Sequence, residues 1–160
     1  MNTKEAENMR KVIGMVLALI LLAAGSASSA ETVQLPESRY AVTIPDGMIY
    51  DGPTEGTAEA FAYVSEEMLL TVHFFRYNMS MTDVILDVLG RGGDDIRPVS
   101  VNGVDMIAFR YPPEEDGWQA AGCILEDGDA TLAILFWYGA QEAADLTKTI
   151  MESIEETETV

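Results

Sequence analysis

A chain of 160 residues, 48% hydrophobic, with 27 acidic against 9 basic residues and a net charge of −18 at pH 7, has enough apolar material for one domain with its own core. Such an excess of carboxylates excludes nucleic acid and anionic lipid as partners, because nothing would neutralise their phosphates, and it favours cations or basic surfaces. The lone cysteine, Cys123, excludes an internal disulfide, so packing alone must hold the fold.

The chain opens on a basic stretch with Lys4, Arg10 and Lys11, followed by an apolar run over residues 12–24 and small residues up to Ala30. This is the pattern of a secretory signal peptide over residues 1–30, and the run falls short of the roughly 20 residues that span a bilayer. A secreted or extracytoplasmic protein with no stable membrane span after cleavage is expected. Cleavage would remove three basic and two acidic residues, which leaves the remainder slightly more acidic. Residues 31–38 read as a flexible lead-in, residues 39–156 as a single domain and residues 157–160 as an acidic tail.

Residues 40–44 alternate as a strand and stop at a Pro45-Asp46-Gly47 turn. Residues 50–57, with Gly52, Pro53 and Gly56, read as a loop. Residues 59–64 and 68–77 follow as a hairpin, since β-branched and aromatic residues favour strand over helix. The period then changes. Met81, Val84, Ile85, Val88 and Leu89 fall on one face of a helix, Ser80 with Asp83 resembles a capping box, and Gly90, Gly92 and Gly93 end the helix. Asn102-Gly103 predicts a tight hairpin between residues 96–101 and 104–111, with Val101 facing Val104 and Val99 facing Met106.

After an acidic loop over residues 112–116, residues 118–125 and 130–138 form a second hairpin around the tip Glu126-Asp127-Gly128-Asp129. With Asp127-Gly128 as the turn, Ile124 faces Thr131, Gly122 faces Ala133, Ala120 faces Leu135 and Trp118 faces Trp137. Both faces of this hairpin are apolar, so it belongs in mid-sheet with cover on both sides. Ala143, Leu146, Ile150, Met151 and Ile154 then line one face of a C-terminal helix. The sum is an α+β fold: an antiparallel sheet of about six to seven strands sandwiched between helices.

The Tyr40-to-Gly47 strand start, the short helix after Ser80, the Val101-Asn102-Gly103 hairpin, the long hairpin ending in an aromatic strand and the C-terminal amphipathic helix together resemble the PsbP-like superfamily. The likeness covers residues 39–154. That superfamily includes the extrinsic photosystem II protein PsbP, a nuclear import factor that binds the GTPase Ran, and small exported bacterial proteins of unknown role. The resemblance implies an antiparallel sheet between helices and an accessory or binding role, and it transfers no functional residue.

Candidate chemistry is sparse. His73 lacks a second histidine for a metal site and reads as a sheet residue, and Cys123 in an apolar strand reads as an inert thiol. Clustered carboxylates remain. Glu114, Glu115 and Asp116 with Trp118 form a candidate partner surface, and Glu126, Asp127 and Asp129 a candidate calcium site without the spacing of a dedicated loop. The favoured function is an exported, non-enzymatic module with no required cofactor that binds a protein or cell-envelope component through an acidic surface. Its expected mark is an apolar patch ringed by the Glu114 loop and the Glu126 tip. A hydrolase using paired carboxylates and a calcium-dependent envelope protein are the alternatives.

Overall fold

The computed structural model describes residues 30–53, 61–139 and 141–157. The expected signal peptide up to residue 29 and residues 158–160 of the expected tail lie outside them. The described strands are β1 (Glu31–Gln34), β2 (Tyr40–Ile44), β3 (Ile49–Pro53), β4 (Phe61–Ser65), β5 (Leu70–Tyr77), β6 (Asp94–Val101), β7 (Val104–Tyr111), β8 (Gln119–Asp127), β9 (Ala130–Tyr138) and β10 (Glu155–Glu156). Two helices accompany them, α1 (Met81–Gly90) and α2 (Gln141–Glu152).

An antiparallel seven-stranded sheet of order β3-β4-β5-β9-β8-β7-β6 forms the centre, and the β8–β9 hairpin lies inside it as its two apolar faces require. The expected Asn102-Gly103 turn is present, with φ of +50° and +80°, and it pairs Val101 with Val104 and Val99 with Met106. At the tip of the long hairpin the turn is displaced by one residue. Gly128 (φ +64°) and Asp129 make the turn, and Asp127 pairs with Ala130 inside the ladder. Ile124 therefore faces Ala133, and Trp137 faces Ala120 instead of Trp118. Moving a turn by one residue shifts each partner by two, so every side chain keeps its predicted face.

On one face Leu125, Cys123, Leu132, Ile134 and Phe136 join Leu70, Val72 and Phe74 in the larger core. Its cover is of two kinds. Ala143 and Ile150 come from α2, while Val33, Val42 and Ile44 come from a second sheet of order β1-β2-β10. Part of the lead-in and the last residues of the expected domain are thus strands: Glu31–Gln34 pairs with β2 along one side, and Glu155–Glu156 pairs with Ala41 and Tyr40 on the other. Burial of Leu35 to 1% exposure explains why the lead-in is ordered.

Among the described residues the opposite face receives only α1, ten residues long. Ser80 Oγ accepts the Asp83 N–H at 3.2 Å, and Gly92 (φ +89°) ends the helix with Gly93 N–H donating to Val88 O at 2.8 Å, as the glycines predict. Val84 and Val88 pack on Phe109, Ile124 and Ala133. Leu89, expected on the buried face, is 50% exposed, because five residues on from Val84 it falls at the margin of the face that Val84 and Val88 set. The arrangement is a mostly-sheet α+β fold with two described helices, and full helical cover on both faces is not what this chain builds. Residues 54–57 of the expected 50–57 loop lie outside the described residues, and residues 50–53 belong to edge strand β3. Pro53 is tolerated there because an edge need not donate outward, and the register shifts between Tyr50 and Gly52.

Candidate functional site

The ladder registers decide which turns share an end of the molecule. Ser65 pairs with Leu70, Leu70 with Tyr138, Tyr138 with Gln119 and Ala120 with Tyr111. The β4–β5 turn, the residues after β9 and the β7–β8 loop are therefore neighbours at one pole. The Glu126–Asp129 tip lies at the other end of nine-residue β8, about 26 Å away at strand rise. The two acidic loops consequently do not ring one patch, which corrects the sequence expectation.

Gly139 ties the near pole together. Its N–H donates to Leu69 O at 3.0 Å, and the Trp118 indole lies over it, so that a Cβ at Gly139 would sit 3.3 Å from Trp118 Cε2. Trp118 also closes its own loop. Its carbonyl accepts Glu114 N–H at 2.8 Å, and its N–H donates to Asp116 Oδ1 at 3.1 Å. This leaves Glu114, Glu115 and Asp116 exposed on a closed turn beside the β4–β5 turn with Glu66 and Glu67.

Next to them Asp46, Gly47, Glu67, Met68, Leu69, Glu142 and Leu146 line an open hollow of 520 Å³. Gly47 is needed there for its backbone angle (φ +86°), while a Cβ would only displace the flexible end of Met68, whose Cε lies 2.8 Å away. Leu69 and Ile49 stand 43% and 70% exposed at this pole, so apolar surface and carboxylates occur together.

The described basic residues are committed elsewhere. Among the described residues Arg39 pairs with Asp127 and Glu156, Arg76 with Asp127, Arg91 with Asp87, Arg97 with Asp95, Arg110 with Asp94 and Asp95, and Lys148 with Glu152. No described basic side chain pairs with Asp46, Glu66, Glu67, Glu114, Glu115, Asp116 or Glu142, and the pole carries uncompensated negative charge.

The expected calcium ligands are arranged otherwise. Glu126 and Asp127 are successive strand residues and point to opposite faces, and Asp127 holds Arg76 at 3.3 Å and Arg39 at 3.5 Å. Among the described residues no group of three His, Cys, Asp or Glu side chains is placed to hold a metal ion. An open groove of 780 Å³ brings Asp105, Glu126 and Glu156 near Arg39, which holds Glu156 at 3.4 Å.

Cys123 is fully buried in the larger core, where burial pushes its thiol up to about 12. His73 lies on the other face of the sheet, so the two cannot form a nucleophile–base pair. His73 stacks on Phe75, and Phe75 on Tyr77, with centroids 6.0 and 5.9 Å apart. This half-buried ladder borders a 330 Å³ trough beside the end of α1, walled by Tyr111 and Leu135. The trough was not legible from sequence, because its width depends on how little of the sheet α1 covers.

No protein-family model matches the chain, and no curated protein matches it in sequence. Among solved structures, a crystal structure from Bacteroides thetaiotaomicron is similar over 81% of this chain with 15% identity and a TM-score of 0.59, and the chain spans about half (49%) of that longer protein. The solution structure of cyanobacterial PsbP (CyanoP) from Synechocystis is similar over 82% of this chain and 95% of its own length, with 10% identity and a TM-score of 0.55. The chain has a PsbP-like fold.

Proposed function

We propose that the protein is an exported, non-catalytic accessory module that binds a protein or cell-envelope partner through its acidic pole. The observation that carries this reading is a concentration of exposed carboxylates on neighbouring turns, none of them paired with a described basic side chain, at the same pole as exposed Leu69 and Ile49. Such a surface steers and selects a basic partner and rejects acidic ones. The compact, hydrogen-bonded loops suit docking because little entropy is lost on binding. Export is supported by the basic-then-apolar start of the chain.

The test is crosslinking of the tagged protein on intact source cells, at low and at high salt, beside a variant with Glu114→Gln, Glu115→Gln and Asp116→Asn. One dominant protein in near-equal amount, lost at high salt and reduced in the variant, is the expected result. Capture that ignores both salt and these substitutions would remove the pole as the binding surface.

A further inference from the structure

The trough beside the end of α1 has an apolar floor and a polar mouth. Ile124, Ala133 and Leu135 of the sheet and Val84 and Val88 of the helix line its 330 Å³. Its flanks are aromatic. Phe75 and Tyr77 present nearly parallel rings, their planes 14° apart, while Phe109 and Tyr111 meet at 84°. Phe109 takes its place there because residue 122 is glycine, where a Cβ would stand 2.7 Å from the ring's Cζ. A space of this size suits a small molecule. The aromatic flanks favour a planar ring, which gains by stacking on one neighbour and meeting another edge-on.

The groups at the mouth come from three elements. Val84, Val88 and Arg91 are spaced i, i+4 and i+7, so Arg91 leaves α1 on the face that covers the sheet. Arg91 binds Asp87 through Nε at 2.8 Å, which leaves the terminal N–H groups of the guanidinium for another partner. Tyr77 of β5 and Tyr111 of β7 both lie within reach of its charge. Burial holds their pKa values above the usual tyrosine value, and Arg91 draws both back. Both phenols are therefore protonated donors at neutral pH, and neither is hydrogen-bonded to another described residue. A guanidinium and two phenol O–H groups at the edge of an apolar slot match an acceptor that carries negative charge. We propose that this trough binds a small aromatic carboxylic acid, with its ring between the Phe75–Tyr77 and Phe109–Tyr111 pairs and its carboxylate on Arg91, Tyr77 and Tyr111. The negative charge of the rest of the molecule opposes such a ligand only weakly, since charges beyond about 8 Å are screened at physiological salt. The trough shares no residue with the hollow at the acidic pole, and neither reading depends on the other.

The experiment titrates the isotope-labelled full-length protein with phenylacetate, with its uncharged counterpart phenylacetamide and with cyclohexylacetate, which keeps the carboxylate and lacks the aromatic face. Methyl signals of Val84, Val88, Ile124 and Leu135 are followed by NMR. Saturable shifts at these methyls are expected, with phenylacetate bound about three- to tenfold more tightly than either comparison compound. Arg91→Gln, at an exposed position, should abolish the preference for phenylacetate over phenylacetamide and leave the affinity of the amide unchanged. Equal binding of phenylacetate and phenylacetamide, equal binding of phenylacetate and cyclohexylacetate, or a preference that survives Arg91→Gln would each overturn the proposal. Phenylacetate shifts that do not saturate, or that spare these four methyls, would overturn it as well.

Discussion

Trp118 lies across the backbone of Gly139, with the indole so close that a Cβ there would meet Cε2 at 3.3 Å and Cζ2 at 3.4 Å. Gly139→Ala should therefore tilt the indole toward water and loosen the acidic loop that Trp118 closes, at a cost of about 1 kcal/mol. Trp118 emission, read in a Trp137→Phe background, should move to longer wavelength. An unmoved emission maximum would mean that the ring has room to absorb a methyl group.

Asn102 serves two elements at once. It takes a left-handed conformation (φ +50°) in the β6–β7 turn, and its Nδ2 donates to the Glu152 and Ile154 carbonyls at 3.0 and 2.8 Å, where α2 ends. Asn102→Gly keeps the turn and loses the cap, so it should cost about 1 kcal/mol in urea unfolding. Asn102→Ala loses both and should cost more. Equal costs would show that the cap contributes nothing beyond the turn.

Leu132 is fully buried between the large sheet and the α2–β2 layer. Leu132→Ala should cost about 2 to 5 kcal/mol, and a loss near zero would mean that the face is open. Gly122, on the opposite face, tests overpacking instead. A Cβ there would collide with the Ile134 carbonyl and stand 2.7 Å from Phe109 Cζ, so Gly122→Ala should destabilise by about 1 to 3 kcal/mol.

His73 gives the protein a pH dependence of predictable sign. Burial lowers its pKa below the ordinary 6.5, with Asp51 opposing weakly, and its Nδ1 has no partner among the described residues. The unfolded chain takes up this proton first as pH falls. The contribution is thus fully present above about 6.5 and is lost as pH falls through the folded pKa. Urea stability should fall more steeply between about pH 7 and pH 5 in the native protein than in His73→Phe. Parallel curves would show that the imidazole titrates as it does in water.

Turn chemistry and periodicity were readable residue by residue. Asn102-Gly103, Ser80 with Asp83, the glycines after α1 and the apolar face of α2 all act within a few residues of themselves, so the local sequence specifies them. The same is true of the sheet faces, which survive a register error because alternation has a period of two. The charge and apolar content of the acidic loop at Glu114 to Asp116 were equally plain.

What escaped the sequence depends on partners far along the chain. β1 and β10 carry weak signals of their own and become strands because β2 lies between them. Asp127 joins the ladder where Arg39 and Arg76, distant in sequence, meet it. The hollow beside Gly47 is likewise invisible in one dimension, since Asp46, Leu69, Glu142 and Leu146 meet only when the strand order brings their turns to one pole. Composition and spacing by themselves determined the two helices, the strands with a clear alternation, most of their buried faces and an acidic character. The tertiary pairing decided which acidic turns stand together and which side chains remain uncovered, because proximity between distant segments follows from strand order, and alternation within each strand carries no record of it.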